Sequence, residues 1–106
     1  MAKNILEQYK SKVAKTKNLK SITSDFEQVS YLSVGLAGEI GEVLNMVKKD
    51  LFYDDYDLDR DVLLDEFGDC LYFLTNLLGE YGYDLEDAMK INMRKVTKMQ
   101  KIFNEE

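Results

Sequence analysis

No proline interrupts the 106 residues, and this absence constrains the fold more than any other feature. Proline is the residue that breaks a helix from within, because it lacks an amide donor and collides with the preceding turn. Without it, apolar residues spaced three and four apart recur over most of the chain, the period of helices with a buried face. The chain is therefore read as all-α, a four-helix bundle, with residues 1–106 forming a single domain.

A first helix is expected over about Asn4 to Thr16, with Ile5, Leu6, Tyr9 and Val13 as its apolar stripe, followed by a connector from Lys17 to Ser24. Ser24 or Asp25 caps a second helix running to about Lys49, whose apolar positions include Phe26, Val29, Leu32, Leu36, Ile40, Val43 and Val47. Leu51 to Asp57 reads as an acidic, aromatic loop. A third helix, from about Leu58 to Tyr81, is apolar nearly all round and is expected at the centre, ended by Gly79 and Gly82. Asp84 caps a fourth, reaching roughly Phe103, with a cationic face of Lys90, Arg94, Lys95, Lys98 and Lys101.

Composition removes several kinds of function. Fourteen basic against twenty acidic residues leave a net charge of −6, so neither nucleic acid nor an anionic membrane is an expected partner. One cysteine, Cys70, cannot build a disulfide framework or a thiolate zinc site within the chain. No apolar run matches a membrane span or a signal peptide, and the cytoplasm is the expected location. With no histidine, the commonest side-chain base and transition-metal ligand is missing, which leaves carboxylate chemistry with a hard metal ion as the enzyme to look for.

The acids in the two most apolar helices fall into matched pairs, Glu39 with Glu42 and Glu66 with Asp69. Residues three apart lie about 60° apart on a helical wheel, so each pair projects from one face. Four such oxygens, with no sulfur or imidazole donor, suit Mg²⁺ or Mn²⁺. Spacing alone leaves two readings open, a metal claw and an ordinary solvated face. Gly35, Gly38 and Gly41, three apart in the second helix, mark a face where something approaches the backbone closely and lets the second and third helices share an ion.

The run Gly35-Leu36-Ala37-Gly38-Glu39-Ile40-Gly41-Glu42, then Asp65-Glu66-Phe67-Gly68-Asp69 after a spacer, resembles the MazG-like all-α nucleotide pyrophosphohydrolases from about Tyr31 to Lys98. That resemblance implies an Mg²⁺-dependent cleavage of nucleoside triphosphates to a monophosphate and pyrophosphate, by water attack on phosphorus. It makes Glu39, Glu42, Glu66 and Asp69 the metal ligands, with Glu39 or Glu42 accepting the water's proton. Asn92 and Lys95 match an Asn-x-x-Lys element of the family that contacts substrate. Lys98 stands where the family often has arginine, which removes a bidentate grip on phosphate. Lys49 and Gln28 are further candidates for substrate contact, and Tyr31, Phe52, Tyr53 and Tyr56 are candidates for base stacking. A homodimer or dimer of dimers is the implied assembly.

Two rivals can be named. Asp55, Asp57, Asp59, Asp61 and Glu66 follow the ligand spacing of a calcium-binding EF-hand loop, but Arg60 stands where that loop requires glycine. The rival of another class is a non-catalytic helical interaction module that keeps the bundle and hydrolyses nothing.

Overall fold

In the computed structural model, residues 3–16 and 24–104 are described. They form four helices and no strand: α1 (Ile5–Ala14), α2 (Asp25–Phe52), α3 (Arg60–Glu80) and α4 (Leu85–Asn104). The expected connector, apart from Ser24, lies outside the described residues.

The caps explain the boundaries. Asn4 Oδ1 accepts the Glu7 amide at the start of α1, and Ser24 Oγ accepts the Glu27 amide at the start of α2. Asp59 Oδ1 accepts from the amides of Asp61 and Val62, so one acid of the EF-hand-like spacing serves as the α3 cap. At the other end of α3 the chain reverses through Gly82, whose φ of 80° is left-handed. There the Tyr83 amide donates to the Leu78 carbonyl and the Gly82 amide to the Gly79 carbonyl, the paired bonds of a Schellman motif. Asp84 and Asp87 then exchange amide-to-carboxylate bonds, a reciprocal capping box that opens α4. The expected boundaries of α3, Leu58 and Tyr81, shift inward to Arg60 and Glu80. At α2 the shift is outward: the helix continues past Lys49 through Leu51 and Phe52, shortening the loop that follows.

Helices α2 and α3 make the main packing surface, and α1 lies against α3. They run antiparallel, because ascending positions on α2 meet descending ones on α3: Tyr31 and Gly35 meet Phe73, while Glu39 and Glu42 meet Glu66. Among the described residues the buried apolar ones are few: Val13, Leu32, Val43 and Leu85. Lys10 of α1 pairs with Asp84 and Glu86 at 3.0 and 3.1 Å, tying α1 to the start of α4. Thr16 and Tyr72 share a hydroxyl hydrogen bond of 2.6 Å between the end of α1 and α3.

Two expectations change. Helix α3 is central only in touching both α1 and α2; Val62, Leu64, Phe67, Leu71 and Leu74 remain exposed because no described helix covers their sides. Of the three glycines in α2, only Gly35 is closely approached: the Phe73 ring fills the space a Cβ would occupy, whereas nothing lies within 4 Å at Gly38 or Gly41. Gly35→Ala is therefore expected to lower stability by about 1–3 kcal/mol through overpacking, offset by less than about 1 kcal/mol of helix propensity. Gly38→Ala, with open space at that position, is expected to raise it by up to about 1 kcal/mol. Urea titrations of the two variants check both signs.

Beyond its first turn, α4 projects away from the rest. Met89, Ile91, Met93, Val96, Met99, Ile102 and Phe103 are all exposed. The radius of gyration, 17.4 Å, far exceeds the roughly 13 Å of a compact chain of this length.

Candidate metal centre

The α2–α3 packing brings Glu39, Glu42 and Glu66 together, one carboxylate oxygen from each lying within 4.8 Å of the others. The two pairs meet because the helices are antiparallel and each pair occupies the face turned toward its neighbour. A second grouping, Asp65, Glu66 and Asp69, shares Glu66 and satisfies the same distance. Three of the four expected ligands thus converge directly, and Asp69 joins through Glu66. Asp65 is an addition to the four expected ligands; its signal in the sequence is its place four residues before Asp69, on the same side of α3.

Glu39 and Glu66 each hold an Oε2 atom that is buried and has no hydrogen-bond partner. A buried carboxylate oxygen without a donor is costly, and several together repel one another. The result is a higher affinity for protons at two of the three glutamates. Hydrogen bonding with Glu42, loss of hydration and the Glu42 charge push Glu66 up to about 7. Desolvation, followed by the charge on Glu42, raises Glu39 above the usual carboxylate range. The Cys70 thiol beside them is also raised, first by burial and then by Glu39, Asp69 and Glu66. No lysine or arginine is the cause of any of these shifts. An all-oxygen donor set with orphaned buried oxygens fits a hard divalent cation such as Mg²⁺ or Mn²⁺.

The remaining candidates lie elsewhere in the chain. Lys49 stands over the Tyr56 ring, 5.8 Å from its centroid, and Lys48 over Tyr53 at 6.0 Å. Gln28 sits in the first turn of α2, half-buried, about three helical turns before Glu39. Asn92 and Lys95 line a 510 Å³ cavity between the ends of α3 and α4, with Leu78, Tyr83 and Ile91. Asp87 shares this lining, and Lys95 is itself exposed. Lys98 is exposed one turn further along α4.

Compared with known families, residues 27–103 match the MazG nucleotide pyrophosphohydrolase domain, a stretch that contains every carboxylate of the cluster. The chain belongs to the MazG family. A MazG-like all-α architecture accordingly describes the fold, with α1 outside the matched segment. A relative from Mycobacterium phage L5, named only as the gene 37 protein, is 34% identical over 73 residues, which cover 66% of this chain. The aligned stretch spans 64% of that relative's length, just under two thirds. No solved structure matches the chain.

Proposed function

We propose that this MazG-family chain is a nucleoside triphosphate pyrophosphohydrolase that works with Mg²⁺ or Mn²⁺. The observation that carries the reading is the convergence of Glu39, Glu42 and Glu66, with two buried carboxylate oxygens lacking any hydrogen-bond partner. Glu39, Glu42, Glu66 and Asp69 would hold the ion, and Asp65 is close enough to join them. When bound, the ion supplies a positive centre that polarises phosphate oxygens and acidifies water.

The chain's own part is acid–base and positional. Water attacks the α-phosphorus, the bond to the bridging oxygen breaks, and pyrophosphate departs with that electron pair, leaving a monophosphate. Glu39 or Glu42 accepts the proton the water loses; for Glu39 the task suits a carboxylate whose burial and neighbours raise its proton affinity. Lys49, Lys95, Lys98, Asn92 and Gln28 are assigned to substrate contact, and Asn92 and Lys95 reach a carboxylate cluster through assembly with another copy. The substrate class places the reaction in the cytoplasm. Among the described residues, no helix is long and apolar enough to cross a membrane.

Assembly follows from the exposed faces of α3 and α4, since contiguous apolar surface on this scale marks an interface. Light scattering at micromolar concentration is expected to show a homodimer or a dimer of dimers, and a monomer would overturn this part of the reading. The activity is tested by pyrophosphate release from a panel of nucleoside triphosphates, with Mg²⁺, with Mn²⁺ and with a chelator. Metal-dependent release is expected; no release from any triphosphate would leave the non-catalytic helical module in its place.

A further inference from the structure

We infer that α1 is a brace for α4, with Lys10 as a positioning residue: by gripping the start of α4 from the side, it sets the direction in which that helix carries Asn92 and Lys95. This rests on the substrate-contact role proposed above for those two residues and adds the element that aims them. Helix α1 lies outside the segment matched to the family, residues 27–103.

The elbow between α3 and α4 needs such a tie. No other described helix packs lengthwise against α4. Gly82 bends the chain with its left-handed φ, and Tyr83 beside it borders two cavities, one of 510 Å³ shared by α3 and α4 and one of 230 Å³ shared by α1 and α3. Close packing therefore does not hold the angle. Leu85 is buried and anchors the first turn of α4, but one anchor makes a pivot. Lys10 supplies the second: its Nζ lies 3.0 Å from Asp84 Oδ2 and 3.1 Å from Glu86 Oε1. Asp84 is held in turn, since its Oδ1 accepts the Asp87 amide while its own amide donates to Asp87 Oδ2. Asp84, Glu86 and Asp87 stand at a helix N-terminus, where negative charge is favoured, and Lys10 is a cation that meets two of the three.

Helix α1 is itself seated. Val13 is buried, the Thr16 and Tyr72 hydroxyls share their 2.6 Å bond, and Lys10, Val13 and Ala14 face Thr75, Asn76 and Gly79 of α3 across the smaller cavity. A helix fixed on α3 in this way passes its position to α4 through Lys10. The lever is long. At about 1.5 Å per residue Asn92 stands about 12 Å beyond Asp84 and Phe103 about 28 Å, so a swing of about 10° displaces them by about 2 and about 5 Å. Exposed ion pairs add little to overall stability, so their loss alters the aim of α4 more than the fold.

The test places spin labels at Ser33→Cys in α2 and Gln100→Cys in α4, in a Cys70→Ser background, with labelled chain diluted into unlabelled chain so that only distances within one copy are read. A single narrow distance is expected with Lys10 present. Lys10→Met, which keeps the stem and drops the charge, is expected to broaden or shift it, and Lys10→Arg to keep it. Without labels, Lys10→Met is expected to raise KM for the triphosphate the wild type cleaves fastest by about 3- to 10-fold, the scale of losing two exposed ion pairs. Its kcat, its thermal midpoint and its Mn²⁺ affinity by calorimetry are expected to stay near the wild-type values, and Lys10→Arg to restore KM. Glu86→Gln, which removes one of the two partners, is expected to give a smaller change of the same kind and replaces Lys10→Met should that variant not fold. An unchanged distance in Lys10→Met, or an equally broad one in the wild type, would overturn the brace. A moved distance with an unchanged KM, a matching loss of Mn²⁺ affinity, or no rescue by arginine would overturn the positioning role. No turnover of any triphosphate by the wild type would remove the hydrolase reading alone, because the label distances decide the brace without substrate.

Discussion

Glu66→Gln is expected to reduce pyrophosphate release about 100- to 1000-fold while raising the thermal midpoint of the metal-free protein. The loss is of the size seen when one charged or polar group directed at a transition state is removed. The gain has a separate cause. Glu66 contributes an orphaned buried oxygen to a cluster in which Glu42 and Glu39 raise its proton affinity. A neutral amide of nearly the same shape removes the mutual repulsion and supplies a donor to Glu42 or Glu39. Glu39→Gln is expected to behave likewise, since its Oε2 is also buried without a partner. Stability and activity moving in opposite directions would identify residues retained for chemistry at the expense of the fold. If both variants kept full activity, the carboxylate centre would be excluded as the reacting site. If both were simply less stable in chelator, the repulsion argument would fail.

The second large effect concerns pH. In the folded, metal-free chain Glu66 is pushed up to about 7, against about 4.3 for a free glutamate. Between those values the folded state holds a proton that the unfolded chain has released, so stability falls as pH rises through this window. Glu39, raised by burial and the Glu42 charge, acts in the same direction, and the remaining shifted groups lie outside this window. Asp84 is lowered, chiefly by the Asp87 amide and Lys10, so its contribution is lost only as pH falls below the ordinary carboxylate range. Tyr9, Cys70 and Lys10 are raised above values that are already alkaline. Thermal unfolding in chelator from pH 5 to pH 8 is therefore expected to give a falling midpoint, steepest between about pH 5 and 6.5 and levelling off above about 7. Millimolar Mg²⁺ or Mn²⁺ is expected to flatten or reverse the slope by replacing the proton, and calorimetry at pH 7 should detect proton release on metal binding. A midpoint rising with pH in the absence of metal would contradict the arrangement of the three glutamates.

Much of this architecture could be read from local chemistry. Ser24 and Asp84 start helices because a short acceptor placed before an apolar-periodic run has few better uses. The acid pairs were legible because a spacing of three forces a common face, and antiparallel packing then leaves four carboxylates near one another. What sequence obscured depends on the neighbours available to each residue. Lys48 and Lys49 look like a helix end, yet Leu51 and Phe52 carry the helix on, and both lysines lie over tyrosine rings of the following loop. The three glycines looked equivalent, but only Gly35 falls opposite a large ring, because Phe73 reaches that level of the groove. Asp65 was lost beside Glu66, where a run of acids looks like solvated surface. Nor could periodicity separate a helix packed within its own chain from one that turns away, since the apolar stripe of α4 would look the same in either case.

That outward-turned α4 carries a cost in the cell. If copies assemble as proposed, then at low abundance its apolar side chains and the turn at Gly82 are offered to proteases and chaperones. Lifetime should then climb with copy number, so that expression level sets both how much protein is made and how long each molecule lasts.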